Sequence, residues 1–356
     1  MSPVAGLIRL RKHQFGRQLN MGTKVAATRA YPFSGTPDVD LGWIDPEIDA
    51  GSRDPVAAPY RGASELTASL DFPTLNYNDL TKTLCGFFGG DVAPTGGGTA
   101  KTWTHSPASA TVDELDPFTY EFGDDVLTDW YQFGDGVVES FEITGPEGLG
   151  ALSMTTSWRF GSVASTGSTD SPVSGTVPTP ALTVATNDVP IFLKDGGIYI
   201  ASTTGGLAAG QVTGALHTFA FRGSQEIDLK RYADALQTFD IADYGPGARE
   251  LELELTFAKT ADTVGTGSES DAWMSDTAVT RFIRLVFTST EEAQSGIDYS
   301  WSVTMPMRYY TREEGEIGQN SVVVLTAHAF YDATAGVLDS ILINTLTEAQ
   351  LGLSGS

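Results

Sequence analysis

Residues 250–257, Glu250-Leu-Glu-Leu-Glu-Leu-Thr-Phe257, alternate acid and aliphatic side chain almost to the end. A period of two puts every Glu on one side of an extended chain and every Leu on the other, the mark of a half-buried β-strand. The stretch has a counterpart near the other end of the chain. Ala248-Arg-Glu250-Leu251-Glu-Leu-Glu-Leu255-Thr-Phe257 reads against Ala63-Ser-Glu65-Leu66-Thr-Ala-Ser-Leu70-Asp-Phe72, with Ala, Glu, Leu, Leu and Phe in common. A second pair follows in the same order: 148–160 aligns with 318–330, which sets Met154 against Val324. An internal repeat suggests two copies of one domain and two quasi-equivalent surfaces on one polypeptide. That favours an assembly component over an enzyme with one cleft. The alternative is chance similarity between two amphipathic strands.

Other segments carry the same signal. Thr280 to Phe287, Tyr299 to Met305, Ser321 to Phe330, Phe118 to Phe122 and Val137 to Ile143 are rich in β-branched and aromatic residues. Asp195-Gly196-Gly197 stands between Ile191–Lys194 and Ile198–Ile200 and predicts a hairpin turn. Helices are few; Asn76 to Phe88 and Ser270 to Val279 are the best candidates, each following a copy of the Glu-Leu…Phe strand. The expected fold is mainly β: two tandem β-sandwich or barrel domains, each with a short flanking α-helix and its own core.

The divisions follow from composition. Residues 1–37 hold Arg9, Arg11, Lys12, Arg17, Lys24 and Arg29 and no acid, and read as a basic arm. Residues 38–161 form domain 1, the Ser/Thr/Pro/Gly-rich 162–188 a linker, and 189–335 domain 2. Residues 336–356 are a C-terminal helix or an extended arm, with Val, Ile and Thr favouring the arm.

The 356 residues carry a net charge of −24. The excess is shared: 11 basic against 22 acidic residues in 1–185, and 10 against 23 in 186–356. Such a surface repels nucleic acid at long range. It serves solubility, or a non-stick wall past which DNA can move. Cys85 is the sole cysteine and sits in an apolar run, so no internal disulfide forms and burial is expected. Met1 to Ile8 is too short an apolar run for a signal peptide, and no stretch reaches transmembrane length, so no membrane association is expected.

No catalytic constellation emerges. His13, His105, His217 and His328 are scattered without metal spacing. There is no nucleophile elbow, and Gly96-Gly97-Gly98 lacks the Lys-Ser/Thr of a phosphate loop. Asp38, Asp40, Asp45, Glu47 and Asp49 cluster, but without the calcium-loop spacing and terminal Glu. Asp124-Asp125 and Asp135-Gly136 read as turns, not as glycosidase carboxylates. Trp103, Trp130, Trp158 and Trp301 lie in strand-like contexts, where packing is expected before sugar binding. The expectation is no enzyme, no cofactor and no metal.

Phe118-Thr-Tyr-Glu-Phe-Gly-Asp-Asp125, followed by Trp130-Tyr-Gln-Phe-Gly-Asp-Gly-Val-Val-Glu-Ser-Phe-Glu-Ile-Thr-Gly-Pro-Glu-Gly148 and then Ala151 to Phe160, resembles the phage tail tube family. Val189 to Gly197, Ala258 to Thr263 and Tyr309 to Gly318 carry the likeness into the second half, so it covers most of residues 20–335. The resemblance implies β-sandwich tube domains whose inner sheets join laterally around a channel. Rings of three fused chains would make a pseudo-hexamer, and stacked rings the tail of a long-tailed, non-contractile phage. Its partners would be further copies of itself, a tape-measure protein in the lumen during assembly, and terminator and distal tail proteins at the ends. DNA would pass without specific binding. On this reading Glu250, Glu252 and Glu254, with Glu65, Thr67 and Ser69 equivalent, face the lumen. Arg9, Arg11, Lys12 and Arg17, with Glu313, Glu314 and Glu316, make ring-to-ring contacts. A secreted β-sandwich module that binds carbohydrate or protein, and an acid-rich hydrolase, are the competing readings.

Overall fold

A computed structural model describes residues 11–40, 43–44, 60–61, 65–89, 94–107, 115–124, 129–148, 150–165, 182–185, 188–212, 216–230, 243–259, 280–318, 320–333 and 335–351. The expected helix at Ser270 to Val279 lies outside them.

The protein is mainly β. The first half supplies β1 (Arg11–Arg17), β2 (Arg29–Ala30), β3 (Ser34–Asp40), β4 (Trp43–Ile44), β5 (Tyr60–Arg61) and β6 (Glu65–Phe72). Helix α1 (Tyr77–Phe88) follows, then β7 (Lys101–His105), β8 (Phe118–Asp124), β9 (Asp129–Gly145), β10 (Ser153–Phe160) and β11 (Ser162–Ser165). The second half supplies β12 (Gly196–Ala201), β13 (Gln211–Val212), β14 (Leu216–Lys230), β15 (Asp243–Ala258) and β16 (Arg281–Gln294). It ends with β17 (Ile297–Ile317), β18 (Asn320–Ala329), β19 (Asp339–Asn344) and the single turn α2 (Glu348–Leu351). Apart from the β4–β5 pair, these strands join in one 17-stranded sheet, antiparallel in every strand pairing.

Strand order repeats. In the first half the ladder runs β1–β8–β9–β10–β6–β3. In the second it runs β12–β16–β17–β18–β15–β14. Each half carries the same irregularity: pairing skips Glu139 of β9 opposite Ser157/Trp158, and skips Tyr310 of β17 opposite Thr326/Ala327. The ladders also correct the alignment of the second repeated pair by one residue. Phe72 faces Met154 while Phe257 faces Val323, so Met154 corresponds to Val323 and not to Val324. Burial agrees, because Met154, Trp158, Val323 and Ala327 all point into the core. A one-residue slip would turn each of them to the other face.

The halves do not keep separate cores, as the sequence led us to expect. One hydrophobic cluster runs from Phe15 to Leu351 and takes side chains from both. Two cross-connections cause this. β14 pairs with β9, from Phe219↔Gly145 to Ser224↔Ser140. β7 pairs with β19, which pairs in turn with β17. Helix α1 is buried along its whole length. Asn76 caps it, the side chain accepting from Asp79 N at 2.7 Å. Phe87 meets Phe141 edge-on with centroids 4.9 Å apart, and Gly86 lets Trp158 and Val138 approach the helix.

Four further expectations are corrected. The Asp195–Gly197 hairpin does not form: Leu193–Asp195 make a 3-10 turn and β12 starts at Gly196, pairing with β16. Gly196 has φ −93°, whereas a type I′ turn needs positive φ at its centre. Residues 11–37 are not a free arm. β1 lies between β2 and β8, because His13 and Phe15 alternate inward among the basic residues. The linker is shorter than 162–188, since β11 pairs with β9 and Asp188 is bound to Arg29; 166–181 lie outside the described residues. At the C-terminus β19 is a sheet strand, followed by α2, so 336–351 is neither a free arm nor one helix.

Candidate functional surface

The pairings β3–β6–β10–β9–β14–β15–β18–β17 make one continuous ladder. Residues directly opposite one another in a ladder share a face. Thr36, Ser69, Ser157, Ser140, Ser224 and Glu250 therefore form one row across six strands. The neighbouring row is Ser34, Asp71, Thr155, Glu142, Arg222, Glu252, His328 and Arg308. The opposite face of these strands is apolar and packs on the core, with Leu66, Leu70, Phe141, Phe221, Leu253 and Leu325 buried.

Glu65, Thr67 and Ser69 of β6 lie on the polar face, and so do Glu250, Glu252 and Glu254 of β15. The two sets, so far apart in sequence, share one surface of one sheet. The alternation in each strand showed two faces, but it could not show that both polar faces were the same one. Glu142 and Arg222, at the centre of this surface, were not singled out from the sequence. The signal for Glu142 was present in the alternation of Val138, Ser140 and Glu142.

Arg222 organises the centre. Its Nε donates to Glu142 Oε1 at 2.7 Å, and its Nη1 to Glu252 Oε1 at 2.7 Å and Glu254 Oε2 at 3.1 Å. Burial works to lower its pKa, but the hydrogen bonds to Glu252, Glu142 and Glu254 outweigh it and raise the value. On the far side of Glu252, His328 Nε2 lies 3.4 Å from Oε2. A shallow depression here is lined by Ser69, Ser140, Ser157, Glu142, Arg222 and Glu250. Arg159, 2.9 Å from Glu139 and 3.5 Å from Glu65, is the other arginine set among the acids of the β6–β10–β9 region. The surface is thus Ser-, Thr- and carboxylate-rich, and Arg222 and Arg159 are already engaged by carboxylates of the same chain.

The residues expected to make ring-to-ring contacts are dispersed. Arg9 lies outside the described residues. Arg11 is exposed and stands over the Phe122 ring at 5.7 Å; Lys12 is half-buried. Arg17 is corrected: it is buried and ion-paired to Asp116 of the same chain, so it offers no surface contact. Glu313, Glu314 and Glu316 are exposed on β17 near its turn into β18. Hydrogen bonds from Lys259 at 2.9 Å and Arg312 at 2.7 Å hold Glu314 below the ordinary glutamate range.

Charged groups also lie in the interior. Arg29 Nη2 reaches Asp79 at 3.2 Å and also Asp188, which accepts from Asn78 at 2.6 Å. Lys82 Nζ is enclosed by the rings of Phe15 (3.9 Å), Tyr31 (4.1 Å), Phe33 (4.6 Å), Phe72 (5.0 Å) and Trp158 (5.2 Å). Burial, the larger cause, and Arg29 push the Lys82 ammonium well below the ordinary lysine range, against Asp79. The rings favour the cation. Arg29, Asp79 and Lys82 are all buried. Trp103, Trp130, Trp158 and Trp301 are all buried and present no sugar-stacking platform. Among the described residues no group of three or more His, Cys, Asp or Glu could hold a metal, and no helix is long and apolar enough to cross a membrane.

No protein-family model matches this chain, and no curated protein matches it.

Proposed function

We propose that this chain is a structural subunit of a phage tail tube, built from two tandem copies of a tube domain. Three copies close into a pseudo-hexameric ring, rings stack, and the acidic lumen conducts DNA during ejection. The observation that carries the reading is the β9–β14 junction, which joins the two repeats edge to edge into one sheet with a single polar, carboxylate-rich face.

The repeat makes that junction a template. Strand β14 corresponds to β3, since both flank the repeated strand, on β15 and β6 respectively. Strand β9 corresponds to β17 through the shared bulge. Among the described residues, no strand pairs with β3 on the edge away from β6, nor with 311–317 of β17 on the edge away from β18. An open edge of this kind is a template for another chain. Val39, 36 % exposed, and Tyr310, 70 % exposed, stand on these two edges as uncovered apolar surface. Placing β3 of one copy on β17 of the next repeats the internal junction and extends the polar face around a ring.

The polar face then lines the channel. Adhesion to DNA is mostly cation–phosphate contact with counterion release. A wall whose Arg222 and Arg159 are held by Glu142, Glu252, Glu254, Glu65 and Glu139, and whose Arg308 stands over the Phe330 ring, gives DNA little to hold. During assembly in the host cytoplasm the lumen holds a tape-measure protein, and terminator and distal tail proteins close the ends of the tube in the virion.

Negative-stain electron microscopy across a concentration series tests the reading. Hollow rings or tubes with three chains per ring are expected. Six chains per ring would keep the tube and overturn the tandem-domain part. A monodisperse monomer that persists even with an initiating tail-tip complex would overturn the tube and leave a β-sandwich binding module as the better reading.

A further inference from the structure

The two junctions are matched in backbone and opposed in charge. Within the chain, Arg222 of β14 stands directly opposite Glu142 of β9. Arg222 faces Glu252 on β15, and its counterpart on β3 is the residue facing Thr67 on β6, which is Asp38. Glu142 faces Thr155 on β10, and its counterpart on β17 is the residue facing Val324 on β18, which is Glu313. Where the internal junction sets a guanidinium against a carboxylate, the joint between copies sets Asp38 against Glu313. Both are exposed in the single chain.

The neighbouring charges compensate only in part: Arg308 shares this face of β17, two rows from Glu313, and stands over the Phe330 ring. Asp40 and Glu65 lie beside Asp38 on the same face, and Glu254 lies beyond Thr326 from Thr311. Arg159, which faces Thr67 across from Asp38, is already bound to Glu65 and Glu139. Arg312 and Lys259 bind Glu314, which points to the other face.

We infer that the joint between copies is held off by its own charge, so that ring closure depends on ionic strength while the internal junction does not. This rests on the tube reading and on the β3–β17 joint. The Asp38–Glu313 opposition keeps free chains apart at low salt, and screening or an initiating surface overcomes it. Like charges directly opposite in a sheet destabilise the pairing.

The test measures the critical concentration for ring formation of the full chain by sedimentation velocity. Raising salt from about 0.05 to about 0.5 M, where the screening length falls from near 14 to near 4 Å, should lower it severalfold. Asp38→Arg alone and Glu313→Arg alone should each lower it by about fivefold at low salt. The double variant, which sets cation against cation, should return it toward the wild-type value. In parallel, Asp38→Cys with Glu313→Cys should link copies covalently under mild oxidation, since facing Cα atoms lie within disulfide range. Linked rings together with the charge effects support the inference. Linked rings that ignore salt and both single reversals overturn it and leave the joint standing. Assembled rings that fail to link overturn the joint and the inference with it, but not the tube. No rings under any condition, with initiator present, overturn the tube itself.

Discussion

Arg222 of β14 donates from Nε to Glu142 of β9 at 2.7 Å, across the ladder that joins the two halves of the chain. The same guanidinium holds Glu252 and Glu254 of β15, so one side chain clamps three strands. Replacement by Met would leave three carboxylates close together without their cation. The site is about a third exposed, so the expected loss is modest, about 1–2 kcal/mol. Urea unfolding should register it, and added salt should recover part of it. A salt-independent loss would point to packing instead of charge.

Gly223, also on β14, faces Phe141. A Cβ there would collide with the Phe141 ring and come within 3.0 Å of Phe87. Gly223→Ala should therefore destabilise the chain by about 1–3 kcal/mol through overpacking. Hydrogen exchange should show the loss first at the β9–β14 ladder. Uniform protection across that ladder would contradict the view that the ring contact needs a bare backbone.

Asn344 ties the C-terminal strand to the helix. Its Nδ2 donates to Tyr77 O at 3.0 Å and Thr81 Oγ1 at 2.7 Å, and its Oδ1 accepts from Leu346 N at 3.0 Å. All of this is buried. Asn344→Leu should cost about 2–4 kcal/mol by leaving buried groups unpaired. Thermal unfolding would read it, and an unchanged midpoint would mean the segment beyond β19 is held by Leu346, Leu351 and the bonds from Trp103, Asn78 and Thr28 without Asn344.

Acid should destabilise the fold through two histidines. Burial, then Lys82 and Arg11, bring His13 down to about 4; burial, then Arg17, bring His105 down to about 4. Both stay neutral in the folded chain and would charge in the unfolded one near pH 6.5. Stability is therefore full above about 6.5 and is lost as pH falls toward about 4, by at most about 3 kcal/mol for each residue. Neither ring nitrogen of His105 has a hydrogen-bond partner among the described residues, so His105→Leu should leave neutral-pH stability intact or raised. Urea melts at pH 7 and pH 4.5 should show a smaller difference for that variant than for wild type.

Lys82 invites a paired comparison. Its Nζ has no hydrogen-bond partner among the described residues and sits among five rings. Lys82→Met keeps the volume and removes the desolvated amine, so it should fall within about 1 kcal/mol of wild type or exceed it. Lys82→Ala should lose about 2–4 kcal/mol to the cavity. A large loss for Met as well would assign the stabilisation to the cation and its rings.

The sequence by itself determined what depends on neighbours along the chain. The alternation from Glu250 to Phe257 and from Glu65 to Phe72 determined two strands and their polar sides, because side-chain direction in a strand has a period of two. Asn76 with Asp79 determined the helix start, because capping is a local hydrogen bond. What depends on partners across space was decided only by the tertiary structure. It corrected the repeat by one residue, because register follows burial of Met154 and Val323 and not identity matches. It drew His13 and Phe15 out of a basic arm into β1, because the apolar face of that strand outweighs the charge of Arg11 and Lys12. It refused a hairpin at Gly196, where the backbone stays at negative φ and packs against Phe287. Above all it placed β9 beside β14, bringing Glu142 to Arg222 across 80 residues. No pattern within either strand could announce that contact, because strand pairing is set by which apolar faces can share one core.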